Sequence, residues 1–183
     1  MNRFLNRYLR TQSRGQSAVL VALILPFLMG FTLLVVEVAE RWLEVAMVED
    51  ALQQATRSTV QHFNYAALAQ GDDRLASHTE CRAVTARQAS DCKAILNIAH
   101  TILVTNLTGV RGMNESHAAL ADRVRWTVLP NGGTCSFSSN AIVPVTETTP
   151  LICAEVRPQM RGIVGWGVYT PLIVAADTLD PLP

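Results

Sequence analysis

The sequence predicts an α+β protein with a single N-terminal transmembrane helix, and three observations support this prediction. Residues 17–36 are twenty consecutive uncharged residues, and 13 of them are Val, Leu, Ile or Phe. A helical pattern then continues to residue 70 without an intervening Gly or Pro. The last third of the chain changes to alternating apolar and polar residues separated by Gly-containing turns, which is typical of an antiparallel sheet.

The apolar run has the length of a membrane-spanning helix, because twenty helical residues rise about 30 Å. Its side chains favour transfer into the bilayer by about 4 to 8 kcal/mol. The competing interpretation is a cleaved secretory signal peptide, whose apolar region would be only ~7–15 residues long and would end at a small-residue site. Residues 37–40 instead continue the helical pattern, so we predict a transmembrane helix over residues 16–36.

The charges that flank the apolar run predict its orientation. The leader, residues 1–15, carries four Arg and no acidic residue, whereas 11 basic and 15 acidic residues follow Val36. Because positive charge is retained on the cytoplasmic side of a membrane, we expect the leader in the cytoplasm and the rest of the chain on the other side. The total charge of zero therefore conceals an asymmetry between the two ends of the chain.

Residues 37–70 predict a stalk helix that extends the transmembrane helix beyond the membrane. Glu37 and Arg41 stand four residues apart, in the order that stabilises a helix. Apolar residues recur at spacings of three, four and seven or near multiples, which places an apolar stripe along one side of the helix. The predicted stripe consists of Val38, Trp42, Val45, Leu52, Ala55 and Phe63. We expect this side of the helix to pack on the protein's own domain.

Residues 71–183 form the predicted extracytoplasmic α+β domain, and its helices come first. The polar stretch 74–90 predicts irregular structure. Ser90-Asp91 then predicts the cap of a second helix that continues to about Leu107 with apolar residues on one face. A short third helix is predicted over residues 114–121.

The strands of the domain follow its helices. Val124, Trp126 and Val128 alternate with polar residues, and Asn131-Gly132-Gly133 is a strong turn signal that leads into a second strand over residues 134–137. Further strands are predicted over residues 151–156 and 168–176. A helix followed by an antiparallel sheet is the coarse architecture that these segments predict.

Four cysteines follow the predicted span, and an even number in an oxidising compartment suits two disulfides. Of the three possible pairings the sequence favours the two between neighbouring cysteines, because each closes a loop for which chain entropy predicts ~3 kcal/mol. These pairs are Cys81–Cys92 and Cys135–Cys153. Zinc is the competing use, with residues 78–81 as the suggestive cluster. The chain has no C-x-x-C pair, however, and structural zinc sites usually need one closely spaced pair.

No residue pattern in the sequence predicts an enzyme. The four histidines are spread without a spacing that builds a zinc site on one helix, and His100 is interpreted as a core or rim residue of the second helix. The histidines are His62, His78, His100 and His117. The chain shows no Gly-rich phosphate loop, no Ser elbow and no basic patch for nucleic acid. We therefore expect no catalytic residue, no cofactor, no bound metal and no nucleic-acid partner.

The N-terminal quarter of the chain resembles a known family. Residues 14–19 read Arg-Gly-Gln-Ser-Ala-Val, and Pro26 lies near the middle of the apolar run. Glu37 and Arg41 lie just beyond the run, and an Ala-rich stretch ending in Arg follows over residues 51–57. This combination resembles the TadE/TadG-like family, whose members are bitopic, pseudopilin-like components of the tight-adherence (Flp) pilus machinery of bacteria and archaea.

The resemblance covers residues 13–58 and implies a pilin-like architecture with an assembly role. It implies a non-catalytic, type IV-like pilus assembly or scaffold subunit, with Pro26, Glu37 and Arg41 in helix assembly. Its partners would be the lipid bilayer, other pilus-assembly or pilin-like subunits and further copies of itself. It also implies a signal anchor in the bacterial inner membrane, with a periplasmic or extracellular C-terminal domain. The alternative is a membrane-anchored periplasmic binding or interaction module unrelated to pili.

Leu20 departs from the family's pattern. Members processed as pseudopilins carry Glu at the fifth residue after the Gly. Its carboxylate is thought to pair with the N-terminal amine of a neighbouring subunit. A lone acid in the bilayer costs several kcal/mol unless it is paired, whereas Leu needs no partner. Gly15 and Gln16 therefore form a candidate peptidase junction, and whether the leader is cleaved stays open. Because Glu37 is the nearest acid, ~31 Å along a helix from that junction, we favour a membrane-resident role over a filament subunit.

Overall fold

The computed structural model describes residues 2–62, Ala69, Leu75, 79–162 and 167–179, with side chains from Ala18 onward. The chain divides into two compact units, Met1–Glu40 and Arg41–Pro183. The first unit is helical, whereas the second combines helices, an antiparallel sheet and two disulfides. This organisation agrees with the predicted α+β class.

The N-terminal helix α1 spans Asn2–Val60. From Glu44 onward its buried positions recur every three or four residues, as expected for a helix that packs one stripe into a core. The buried residues are Glu44, Val48, Ala51, Leu52, Ala55, Thr56, Thr59 and Val60. The helix ends at Val60, before the predicted end at residue 70. Since most helical stability in proteins comes from packing, the last buried residues, Thr59 and Val60, mark the point where that support stops.

The predicted apolar stripe of α1 is partly wrong. Leu52 and Ala55 are buried, but Val38 and Trp42 are 46% and 74% exposed. Trp42 lies ten residues before Leu52, about 80° around the helix from it, and it precedes Glu44, the residue at which the buried stripe begins. Phe63 lies outside the described residues. The helix therefore leaves a large aromatic side chain on its exposed side.

Helices α2 (Lys93–Asn106) and α3 (His117–Arg123) follow α1 along the chain, with a 3₁₀ turn after α2. The predicted cap of α2 at Ser90-Asp91 is wrong, because Cys92 occupies the N-cap position without a side-chain cap bond. Its sulfur is bonded to Cys81, so the disulfide joins β1 to the residue that precedes α2. Ser116 caps α3 by accepting a hydrogen bond from the Ala119 amide at 3.2 Å.

Within the residues that the structure describes, the strands in chain order are β1 (Cys81–Val84), β2 (Arg125–Leu129), β3 (Gly133–Cys135), β4 (Val145–Glu147), β5 (Leu151–Val156), β6 (Met160–Arg161), β7 (Val168–Tyr169) and β8 (Ile173–Thr178). The main sheet has the order β1-β2-β5-β8, and every neighbouring pair is antiparallel. Strands β3 and β4 pair as a hairpin, and so do β6 and β7.

The two faces of the main sheet are covered differently. Alternate side chains of a strand point to opposite faces, so Trp126, Ile152 and Ala175 share the face that packs on buried residues of α1 and α2. On the opposite, outer face, Leu129 and Leu151 form a smaller core with the disulfide between β3 and β5. The β3–β4 hairpin therefore lies over part of the outer face, and the sheet stands between helices and a hairpin.

The strand predictions are confirmed in part. The strand over residues 151–156 is confirmed, whereas the predicted strand 168–176 divides into β7 and β8. The stretch 74–90, predicted to be irregular, contains β1. That strand carries a bulge, and Ala83 has a φ of 49°, which breaks the alternation by which a strand is recognised.

Candidate functional site

The first unit exposes a layer of apolar side chains on α1. Its 14 large apolar residues between Val19 and Val36 are 42–74% exposed. The helix contains an 18-residue window of mean hydropathy 2.8, none of it buried. Contiguous apolar patches beyond a few hundred Å² mark interaction or membrane surfaces. By length and composition, α1 could cross a membrane.

The residues that the sequence singled out in this unit occupy one continuous helix. The candidate junction, Gly15 and Gln16, lies inside α1, and Pro26 is also helical. The Thr32 hydroxyl donates to the Leu28 carbonyl oxygen at 2.9 Å, within the turns that follow the proline. A methyl group added at Gly30 would meet no atom within 4 Å.

Two acidic residues at and beyond the end of the apolar run are buried, namely Glu37 at 1% and Glu44 at 7% exposure. Burying a carboxylate costs free energy unless protein groups pair or hydrogen-bond with it, so we expect both side chains to depend on partners within the protein. Within the second unit, the Arg41 guanidinium carbon lies 5.0 Å from the centre of the Tyr169 ring, at cation–π distance. The Tyr169 hydroxyl also donates to the Arg41 carbonyl oxygen at 3.4 Å.

Glu44 is packed directly against the backbone at Gly112. A Cβ atom built on Gly112 would lie 1.8 Å from the Glu44 Oε1 atom and 1.9 Å from Oε2, far inside van der Waals contact. Gly112 therefore provides the space for a buried carboxylate. The Gly112 carbonyl oxygen accepts a hydrogen bond of 2.7 Å from the Arg161 amide, which joins this loop to β6.

A groove of about 340 Å³ opens in the second unit where β2 begins, β5 ends and β8 begins. Three arginines, one glutamate, one serine and two aliphatic residues line it. The lining residues are Arg123, Arg125, Ser138, Glu155, Val156, Arg157 and Leu172. Strand register brings Arg125 opposite Glu155, and Glu155 opposite Val174, which positions the pair on the outer face of the sheet.

Two of the three groove arginines are neutralised within the domain. Arg125 Nη1 lies 3.4 Å from Glu155 Oε1, and the other oxygen of Glu155 accepts a 2.7 Å bond from the Ser138 amide. Arg123 forms an ion pair with Glu115. Arg157 differs, because its exposed guanidinium makes no hydrogen bond or ion pair with any residue that the structure describes. The groove therefore presents one uncompensated positive charge beside an aliphatic wall.

The sequence did not predict this groove, because its residues come from separate segments of the chain. The sequence shows only that Arg123 and Arg125 lie near the start of β2 and that Arg157 follows β5. Which strand ends meet depends on the pairing of β2 with β5, and that pairing is set by tertiary structure rather than by local pattern.

The cysteines form the two bonds that the sequence favoured, Cys81–Cys92 and Cys135–Cys153. The first joins β1 to the start of α2, and the second joins the β3–β4 hairpin to the central strand β5. Among the residues that the structure describes, no group of three or more His, Cys, Asp or Glu side chains could hold a metal ion.

The described histidines hold structural contacts. His100 is half-buried, and its Nε2 lies 3.2 Å from Asp122 Oδ1. His117 Nε2 lies 3.2 Å from the Val110 carbonyl oxygen. His62 follows the end of α1, and His78 lies outside the described residues. His100 and His117 each contact a different partner near α3.

Comparison of the chain with protein-family models, curated proteins and solved structures gives no match.

Proposed function

We propose that this chain is a non-catalytic, single-pass membrane protein of a tight-adherence pilus assembly system, where it acts as a pseudopilin-like or scaffold subunit. The observation that supports the proposal is that the two parts of α1 differ in exposure. Residues 19–36 expose an apolar surface suited to lipid or to other membrane helices, whereas residues 44–60 bury a stripe in the core of a disulfide-bonded domain. The resemblance of residues 13–58 to the TadE/TadG-like family selects pilus assembly among the roles open to such a protein.

The proposed location is the bacterial inner membrane, with the leader in the cytoplasm and the domain in the periplasm or outside. The four arginines before the apolar run support this orientation through the positive-inside rule. The two disulfides support an oxidising compartment for the domain. In this arrangement the partners of α1 are lipid and the membrane helices of other assembly subunits.

Deletion of the gene in its native host tests the pilus role. We expect surface filaments to disappear and to return when the gene is supplied on a plasmid. A complementing copy in which Cys81 and Cys92 are intact but residues 1–40 are replaced by a cleavable secretory signal is the control. It exports the domain without the proposed anchor, and we expect it not to restore filaments. Normal filaments in the deletion strain would refute the proposal.

Leu20 supports a membrane-resident role within that system rather than a place in the filament. Leu20 is 59% exposed in the structure and offers no carboxylate to a new amine at Gln16. An uncompensated charge near the apolar layer is expensive. We therefore expect the leader to be retained, with Gly15 and Gln16 uncut.

N-terminal sequencing of the native protein distinguishes the two roles. We expect membrane fractions to yield chains that still contain Arg3 to Arg14. Chains that begin at Gln16 and are recovered from sheared surface filaments would make the protein a filament subunit instead.

A further inference from the structure

We propose that the arginine groove between the ends of β2, β5 and β8 binds the phosphate headgroup of an anionic phospholipid in the membrane that anchors the chain. The site would bring the domain of residues 41–183 against the lipid surface through Arg157. This inference rests on the membrane attachment in the proposed function, but not on its pilus role.

The chemistry of the groove suits a lipid phosphate. An arginine guanidinium binds a phosphate through two parallel hydrogen bonds, and it is more weakly hydrated than an ammonium group. Arg157 supplies this group without a competing carboxylate among the described residues. The aliphatic residue Leu172 provides a wall for the glycerol backbone, and 340 Å³ falls within the usual range of small-molecule pockets.

The groove lies near the part of the domain that is tethered to the apolar run. Arg157 precedes Met160 by three residues, at most about 11 Å of chain. Met160 pairs with Tyr169, whose ring lies 5.0 Å from the Arg41 guanidinium carbon. Arg41 in turn follows Val36 by only five residues, at most about 18 Å in any conformation. A lipid headgroup layer is therefore within reach of this end of the domain.

Two further features of this end favour a membrane surface over a soluble anion. Trp42 and Leu43 are 74% and 61% exposed at the start of the domain's own helical segment. Trp is enriched at the membrane–water interface, where its ring lies at the level of the headgroups. Arg111 and Arg161 are also exposed, one beside Gly112 and the other bonded to the Gly112 carbonyl oxygen. Exposed apolar and basic groups on one end match an anionic lipid layer.

The test compares lipid retention by the full-length protein in nanodiscs of phosphatidylcholine alone and in an equimolar mixture with phosphatidylglycerol. Native mass spectrometry counts the phosphatidylglycerol molecules retained, and hydrogen exchange follows amides of residues 123–125 and 155–157. We expect retained phosphatidylglycerol and slower exchange in the groove. Because a charge-assisted hydrogen bond contributes about 1.5–3 kcal/mol, R157Q should weaken retention about tenfold or more.

Lys93 offers a matched control, because it is an exposed basic residue at the start of α2. The other end of α2 leads into the 3₁₀ turn, where Gly109 lies close to Met47 of α1. K93Q removes the same charge and should leave retention unchanged. Equal loss in K93Q and R157Q, or equal exchange in both lipid mixtures, would overturn the headgroup site. Slower exchange at the groove with inorganic phosphate in phosphatidylcholine nanodiscs, at the level produced by the lipid, would assign it to a free anion instead. Failure of the protein to enter nanodiscs at all would refute the membrane attachment itself.

Discussion

Gly112 has no side chain, and this leaves room for the buried carboxylate of Glu44. The Glu44 carboxylate occupies the space in which any Cβ at this position would lie. The same loop also accepts a backbone hydrogen bond from the Arg161 amide in β6. A change at Gly112 would therefore disturb both the packing of α1 and the connection between the loop and β6.

We expect Gly112→Ala to lower the free energy of unfolding of the domain by about 1–3 kcal/mol, as overpacking of a filled site does. Gly109→Ala is the matched control, since its Cβ would meet only the Met47 Cε at 3.6 Å, an ordinary contact. Urea unfolding of the detergent-solubilised protein, followed by tryptophan fluorescence from buried Trp126, measures both variants.

The clash also predicts non-additivity. In a Glu44→Ala background the carboxylate is gone, so adding Gly112→Ala should cost much less than it does in the natural protein. If the two variants destabilise independently, Glu44 and Gly112 do not share this space.

Among the elements, those supported by local pattern could be predicted and those made by tertiary contacts could not. Strand β5 was predicted at its observed bounds because it is a run of buried apolar residues between turns. Strand β1 was missed because its bulge at Ala83 and its polar residues hide the alternation. The start of α2 was misplaced because the N-cap residue is Cys92, which forms a disulfide and makes no side-chain cap bond of the kind the sequence signal assumes.

The candidate sites divide in the same way. The apolar surface of residues 19–36 is a continuous property of the sequence, so composition alone reveals it. The arginine groove depends on strand register that pairs Arg125 with Glu155 across 30 residues, and no local signal encodes that register. The disulfide pairing was predictable because loop length constrains it and both loops are short.

The disulfide between Cys135 and Cys153 should have a local effect beyond its contribution to overall stability. Replacing both cysteines by serine should lower the free energy of unfolding by about 3 kcal/mol. Because this bond ties the β3–β4 hairpin to β5, we expect hydrogen exchange to rise first in residues 133–147 and over Leu151.

The Cys81–Cys92 disulfide closes a loop of similar entropy. Replacing both of its cysteines by serine should instead raise exchange in β1 and the first turn of α2. Identical exchange patterns in the two double variants would contradict these separate roles. Mass spectrometry of unreduced peptides from the natural protein should recover only the Cys81–Cys92 and Cys135–Cys153 links.

At the scale of the whole molecule, the charge asymmetry predicts a single orientation in the membrane. A reporter that is active only in the cytoplasm should work when fused after Leu5, and one active only outside should work after Pro183. The reason is the concentration of four arginines before the apolar run. Replacing those four arginines by glutamine is the control, and it should weaken the preference. Activity of both end fusions in the same compartment would exclude a single span.

Under the proposed membrane attachment, α1 is both the anchor and a part of the domain core, so the position of a proteolytic cut decides what is released. Residues 44–60 of this helix supply core side chains such as Val48, Leu52 and Ala55. Burial of each Val or Leu contributes about 1.5–3 kcal/mol, and the whole stability of a domain is only about 5–15 kcal/mol. Proteolysis between Val36 and Arg41 would thus release an intact domain into solution. A cut after Val60 would separate α1 from the rest of the domain, and the released fragment should be unfolded because its core lacks the side chains of α1.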